Sequence, residues 1–206
     1  MNADLGRLIT FTGPSGVGKN SIIDGVKGKF GFVEVVSTTT RQPRIDSRTK
    51  ELEVDGFHYE FVSRESFIRD MEIGSEFLET NYVGGDYPKH FYGTRISSIV
   101  PDLSKGITLI HDIEHNGLVQ IRESLSMWGY DVISYFIMPP SMVVLEKRLR
   151  QSGNAKDEYD LQARMRQAQE KIEFYNSHKD DFDYCVVNDD LDRAVEEIIA
   201  GFKSKN

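Results

Sequence analysis

The sequence predicts an α/β protein with a parallel sheet flanked by helices, and three observations carry that expectation. Short apolar runs of strand length recur along the chain at Leu8–Phe11, Ile107–Ile110, Val132–Met138 and Tyr184–Val187. Helix-like stretches separate them, and that alternation is the pattern of βαβ units. The first run feeds a glycine-rich turn and then a helix, the setting of a phosphate-binding loop. With 206 residues, 39% of them hydrophobic, the chain can bury one sizeable core, so it reads as one domain with small insertions.

Each element has its own reason. Leu8-Ile9-Thr10-Phe11 is β-prone and stops at Gly13-Pro14, so it reads as a buried first strand. Asn20–Lys29 then spaces Ile22, Ile23 and Val26 along one helical face, and Phe32–Val36 reads as a second strand. A polar, Arg-rich segment follows from Ser37 to Asp55, and Phe57–Val62 alternates like a strand of a small half-exposed sheet. Ser63 is placed to cap a helix, with Ser66 at its third position. Pro139-Pro140 ends the strand Val132–Met138, and Ser141 can cap a helix from Met142 to Leu149. Between Gln151 and Asp157 the chain turns polar before a charged helix from about Glu158 to Asn176. That interruption between Arg-bearing helices suits a mobile lid, and it equally suits a solvated helical hairpin.

The charge balance limits the function. A net charge of −8 argues against a general nucleic-acid or anionic-membrane binder. Phosphates would have to be held by local cations and backbone N–H groups, which is feasible because fields are screened beyond about 8 Å at physiological salt. The single cysteine, Cys185, lies in an apolar run and reads as a small buried core residue. Met1–Arg7 lacks an apolar leader core and no stretch approaches 18 apolar residues, so the expectation is a cytoplasmic protein.

Gly13-Pro14-Ser15-Gly16-Val17-Gly18-Lys19 matches G-x-x-x-x-G-K. The glycines let backbone N–H groups converge on an anion, the helix N-terminus adds partial positive charge, and Lys19 can reach terminal phosphates. Ser or Thr would normally follow the lysine and ligate Mg²⁺; here Asn20 does, with Ser21 next. An amide oxygen is also a hard ligand, so Asn20 can substitute, or the metal is left to water and phosphate. Further on, Arg41 and Arg44 place two guanidinium forks three residues apart in a loop, suited to bidentate grip of a phosphate.

Five blocks follow the phosphate loop in order: Thr39-Thr40-Arg41-Gln42-Pro43-Arg44, Glu53–Ser63, Glu76-Phe77-Leu78-Glu79, Phe91-Tyr92-Gly93-Thr94 and Val187–Asp192. Together they closely resemble the guanylate kinases, ATP-dependent kinases of GMP, from Ile9 to about Phe202. The resemblance implies phosphorylation of GMP and dGMP to the diphosphate in purine nucleotide metabolism, with Mg²⁺ accompanying ATP and a monomer or homodimer as the working form. It implies one domain over 1–206: a P-loop core (about 1–36, 95–148 and 165–206), a small mixed-sheet GMP-binding subdomain (about 37–94) and a helical lid (about 149–164).

The resemblance also implies residue roles. Arg41, Arg44, Tyr59 and Tyr92 would hold the GMP phosphate, with Ser37 and Glu53 at further positions of that pocket. Glu79 would accept from guanine N1–H and the 2-amino group, and Thr94 would donate to O6, which adenine cannot match. Asp112 would serve the Mg²⁺ shell together with Asn20, and Asp112 and Glu114 (the latter in place of the family's aspartate) belong to the nucleotide site. Gly13–Ser21 and Asn188 would bind ATP, and Lys19, Arg41, Arg148 and Arg164 would neutralise charge on the transferred group. Ser152 stands where the family has a further lid arginine, with Arg150 nearby to cover for it. Residues 45–51 and 83–90 lengthen two loops, for which only loop tolerance offers an account. His111 and His115 read as ordinary surface or core residues. Two alternatives remain: a kinase of another small phosphate ester, such as a ribose bisphosphate, to which Asn20 points; and a non-catalytic guanylate-kinase-like binding module, to which Asn20 and Ser152 point.

Overall fold

A computed structural model describes residues 5–45, 49–74, 76–83, 90–153, 155 and 157–205. Along the chain run β1 (Leu8–Thr12), α1 (Lys19–Phe30), β2 (Val33–Glu34), β3 (Thr38–Thr39), β4 (Glu60–Phe61) and α2 (Arg64–Ile73). Then come β5 (Phe77–Val83), β6 (His90–Arg95), α3 (Val100–Leu103), β7 (Leu109–Asp112), α4 (His115–Met127) and β8 (Val132–Met138). The chain closes with α5 (Met142–Gln151), α6 (Glu158–Ser177), β9 (Tyr184–Val187) and α7 (Leu191–Ser204). No described helix is long and apolar enough to cross a membrane.

Two compact units divide the chain. One comprises Ile9–Val33, Ile110–Glu114 and Ile133–Asn206; the other comprises Met1–Leu8, Glu34–Leu109 and His115–Val132. Most of the five-stranded sheet, ordered β2-β7-β1-β8-β9, belongs to the first of these. All five residues of β1 are buried, as expected of a sheet covered on both faces. β8 and β9 pair in parallel, Tyr135 with Tyr184 through Met138 with Val187. Ile22, Ile23 and Val26 of α1 pack with Phe11, Ile137 and Ile198 in this unit's core. The capping signal of Ser141 acts as expected, its Oγ accepting from the Val144 N–H at 3.2 Å; Asp157 also caps α6, accepting from the Asp160 N–H at 2.8 Å.

The second unit carries a four-stranded mixed sheet, ordered β4-β3-β6-β5. β3 runs parallel to β4 and antiparallel to β6, which is antiparallel to β5. The β5–β6 register shifts between Phe77 and Glu79. At that irregularity the consecutive residues Leu78 and Glu79 are both buried. Gly93 of β6 has no room for a side chain, since a Cβ there would lie 2.8 Å from the Phe77 ring and 3.0 Å from the Glu79 carbonyl. Ser63 caps α2 by accepting from the Ser66 N–H at 3.1 Å.

Four expectations need correction. The second strand is Val33–Glu34, not Phe32–Val36, because Phe32 leaves the sheet to stack on Phe30 and meet Phe202. The strand expected over Phe57–Val62 shrinks to Glu60–Phe61, because Gly56 turns the chain at φ +73° and His58 Nδ1 accepts from the Val54 N–H. The strand after Gly106 begins at Leu109, since the Ile107 N–H is still bound in a turn to the Asp102 carbonyl. Cys185 is half-buried rather than fully buried; burial pushes its thiol up, with the Tyr175 hydroxyl bound to it opposing the shift. Of the two lengthened loops and the expected lid, residues 46–48, 84–89, 154 and 156 lie outside the described residues. An isolated antiparallel bridge between Ile45 and Leu52 closes the first loop at its base.

Candidate nucleotide sites

The phosphate loop is built at the end of β1. Gly18 sits in the left-handed region at φ +101° and caps α1, leaving Lys19 as the first helical residue. Lys19 Nζ donates to the Gly13 carbonyl at 2.9 Å and lies 3.8 Å from Asp112 Oδ1. Asp112 is held there by the ends of β1 and β7: Thr12 Oγ1 donates to the Ile113 carbonyl at 2.8 Å, and the Ile113 N–H donates to the Phe11 carbonyl at 3.0 Å. His111, next in the strand, is fully buried and pushed down to about 4 by that burial, so it is neutral at physiological pH.

The loop is braced from behind by two residues that the resemblance placed on ATP. Asn188 is buried, and its Nδ2 donates to the Val17 carbonyl at 2.8 Å. Arg148 donates to the same carbonyl at 3.2 Å and to the Asn188 carbonyl at 2.9 Å. Arg164 donates to Asp160 at 3.0 Å and to Ser15 Oγ of the loop at 3.4 Å. Asn20 and Ser21 are exposed on the first turn of α1. Arg150, expected near the place of the missing lid arginine, has its guanidinium bracketed by Glu146 and Glu158 and donates to both at 2.8 Å. Glu114 accepts from Lys171 at 2.6 Å.

In the other unit the sequence-singled residues form two groups. Arg41, only 6% exposed, donates to both Glu53 oxygens at 2.5 and 2.7 Å. Its guanidinium lies 4.6 Å over the Tyr59 ring, and the Tyr59 and Tyr92 rings meet edge-on at 6.0 Å. Burial works against the Glu53 carboxylate, but its bond from Arg41 and another from the Arg44 N–H, at 2.8 Å, hold it below its ordinary range. Arg44 itself is exposed, and Ser37 is half-buried with its carbonyl accepting from the Glu60 N–H at 2.9 Å. The loop that carries Arg41 is tied to β6, since Thr39 Oγ1 donates to the Phe91 carbonyl and accepts from the Arg41 N–H.

The second group is a buried pair. Thr94 Oγ1 donates to Glu79 Oε1 at 2.7 Å. Burial pushes the Glu79 carboxyl up and the Thr94 bond offsets only part of that. A carboxylate desolvated in this way gains from a ligand that offers it N–H donors. Thr94 spends its proton on Glu79 here, so donating to a base would require exchanging that bond. Reasoning from sequence missed the bracing of the loop by Asn188; the signal for it was the position of Asn188 directly after the apolar run Tyr184–Val187.

A sequence profile described as guanylate kinase matches residues 5–204. The chain belongs to the guanylate kinase family. Guanylate kinase of Histophilus somni (strain 129Pt) is 39% identical over 198 residues, covering 94% of this chain and 85% of that relative. Guanylate kinase of Prochlorococcus marinus subsp. pastoris is 35% identical over 202 residues, covering 98% and 99%. The crystal structure of guanylate kinase from Anaplasma phagocytophilum, 27% identical, superposes with a TM-score of 0.66 over 100% of this chain and 88% of that one. These matches cover between 94% and 100% of this chain.

Proposed function

We propose that this guanylate kinase family member transfers the γ-phosphoryl group of ATP to GMP and dGMP. The observation that carries the reading is the buried Glu79–Thr94 pair, in the same unit as the Arg41–Glu53–Tyr59–Tyr92 group. A desolvated carboxylate suited to adjacent N–H donors favours guanine, which has N1–H and a 2-amino group, over adenine, which has neither. Arg41, Arg44, Tyr59 and Tyr92, with Ser37 and Glu53 at their edge, are assigned to the acceptor phosphate. The names of the relatives favour neither a sugar-phosphate kinase nor a non-catalytic module.

In this reading Gly13–Ser21 and Lys19 hold the ATP phosphates, with Asn188 and Arg148 keeping the loop in shape. Arg164, already bonded to Ser15, neutralises charge on the transferred group together with Lys19. A GMP phosphate oxygen attacks the γ-phosphorus in line, and the bond to the ADP oxygen breaks. A phosphate monoester dianion needs little help from a base, so positioning and charge carry the rate. Asp112 and Asn20 are the side chains to hold Mg²⁺, which would arrive with ATP and neutralise its phosphates. One carboxylate 3.8 Å from the lysine of the phosphate loop fits a metal that binds few protein ligands and keeps its waters. Among the described residues there is no cluster of three or more His, Cys, Asp or Glu side chains for a fuller cage. Asp112 and Glu114 enter the GMP set by resemblance, and both stand in the phosphate-loop unit. Lys19→Ala and Arg44→Ala should each remove most GMP-dependent ADP formation while the fold survives; near-normal turnover from either would overturn the reading.

A further inference from the structure

Arg95 ends β6 one residue after Thr94, and its side chain is 15% exposed. Its guanidinium serves carboxylates from three separate segments. Nε donates to Glu60 of β4 at 2.7 Å, Nη2 donates to Asp70 of α2 at 2.8 Å, and Nη1 lies 3.8 Å from Glu76 ahead of β5. The plane also covers the Phe77 ring at 4.8 Å. Glu60 Oε2 accepts in addition from Thr38 Oγ1 of β3 at 2.6 Å. One side chain on β6 thereby reaches across β3 to β4, and from β5 to α2.

Those strands carry or adjoin the residues assigned to the acceptor. β4 directly follows Tyr59, β3 leads into Arg41, and β6 holds Tyr92 and Thr94. In β5, Phe77 is the register partner of Arg95 on one side of the bulge, and Glu79 is the partner of Thr94 on the other. Arg95 makes no contact with Arg41, Glu79 or Thr94 in the bonds described, yet it holds the frame in which all three sit. We infer that Arg95 is a positioning residue for the acceptor nucleotide, fixing the strand register that presents Tyr59, Tyr92, Glu79 and Thr94. The inference rests on the GMP-kinase reading.

The chemistry asks for arginine. A rigid fork can bond two carboxylates and stack on a ring at once, whereas a lysine offers one point charge. The bond from Arg95 also holds the Asp70 carboxyl below its ordinary range, aided by Arg69 at 3.5 Å. Removing the guanidinium leaves Glu60, Asp70 and Glu76 to repel one another, which pulls β4 and α2 away from β6.

The test is steady-state kinetics on Arg95→Lys, Arg95→Gln, Glu60→Gln and Glu60→Ala, varying GMP and ATP separately, with thermal melts alongside. Arg95→Lys and Arg95→Gln should raise KM for GMP at least tenfold while KM for ATP stays within twofold. Glu60→Ala should raise KM for GMP in the same direction, which keeps the test open if the Arg95 variants do not fold. Glu60→Gln, which keeps an acceptor for Thr38 and Arg95, should stay within threefold of wild type. A lowered melting temperature with KM for GMP unchanged would mean a structural role only and overturn the inference, as would parallel rises for both substrates. A wild-type protein that does not phosphorylate GMP would overturn the underlying reading, a result separable from any variant's behaviour.

Discussion

Gly18→Ala tests the bracing of the phosphate loop. At φ +101° an alanine pays the left-handed penalty, about 1–2 kcal/mol. Its methyl would also sit 2.4 Å from Asn188 Nδ2, an atom held against the Val17 carbonyl in a buried position. Something must move, and moving the amide leaves a buried donor unpaired at about 1–3 kcal/mol. Together these give a loss of about 2–5 kcal/mol, or about 4–20 °C in melting temperature for a chain of this size. Calorimetric melts and Mg–ATP titration of Gly18→Ala, Asn188→Ala and the double variant read both parts. The steric share should vanish when Asn188 is already alanine, so the double-mutant cycle should show coupling of about 1–3 kcal/mol. A melting temperature within 1 °C of wild type, or fully additive variants, would refute the bracing.

Glu79→Gln separates stability from recognition. Because burial raises the folded carboxyl above its unfolded value, the unliganded fold favours the protonated form and loses stability as pH rises through the raised value. Glu79→Gln should therefore melt higher than wild type at pH 7 and level with it in acid, while discrimination of GMP from AMP collapses. Wild-type affinity for GMP should fall on acidification, above the ordinary carboxylate range, in a step that Glu79→Gln lacks; both proteins share the titration of the substrate phosphate near about 6. Arg150→Ala should leave turnover within about twofold, because Glu146 and Glu158 already occupy that side chain at the surface. Arg164→Ala should lower kcat on the order of 10²-fold, as loss of a charge-stabilising donor does. Equal effects from the two arginines, measured by coupled ADP assay, would reverse that assignment.

The legible parts of the fold were those where local chemistry and burial agree. Val132–Met138 and Tyr184–Val187 match β8 and β9 residue for residue: β8 is buried from Ile133 to Ile137 and reads as a mostly apolar run that Pro139-Pro140 ends, while β9, an edge strand with Val187 exposed, still reads as an apolar run after Asp183. Helices α2 and α5 begin where Ser63 and Ser141 place their caps. The mixed sheet was less legible. β3 and β4 are two residues each, and the bulge in β5 breaks alternation where Glu79 turns inward. For the site, residue types and order could be read, but side-chain pairings could not. Arg41 sits in a bidentate bond with Glu53, twelve residues on, and Asn188 reaches back 171 residues to Val17. Such distances leave no trace in periodicity or spacing.

The proposed function needs two phosphate grips, one centred on Lys19 and one on Arg41 and Arg44, and a guanine-reading pair, Glu79 and Thr94. ADP formation from saturating Mg–ATP, followed with GMP and with AMP as acceptor, addresses it most directly. Rapid turnover with GMP and turnover lower by three or more orders of magnitude with AMP is the predicted result, in the range that buried polar discrimination supports (about 10⁴–10⁵). No ADP formation on adding GMP, or equal rates with both acceptors, would contradict it.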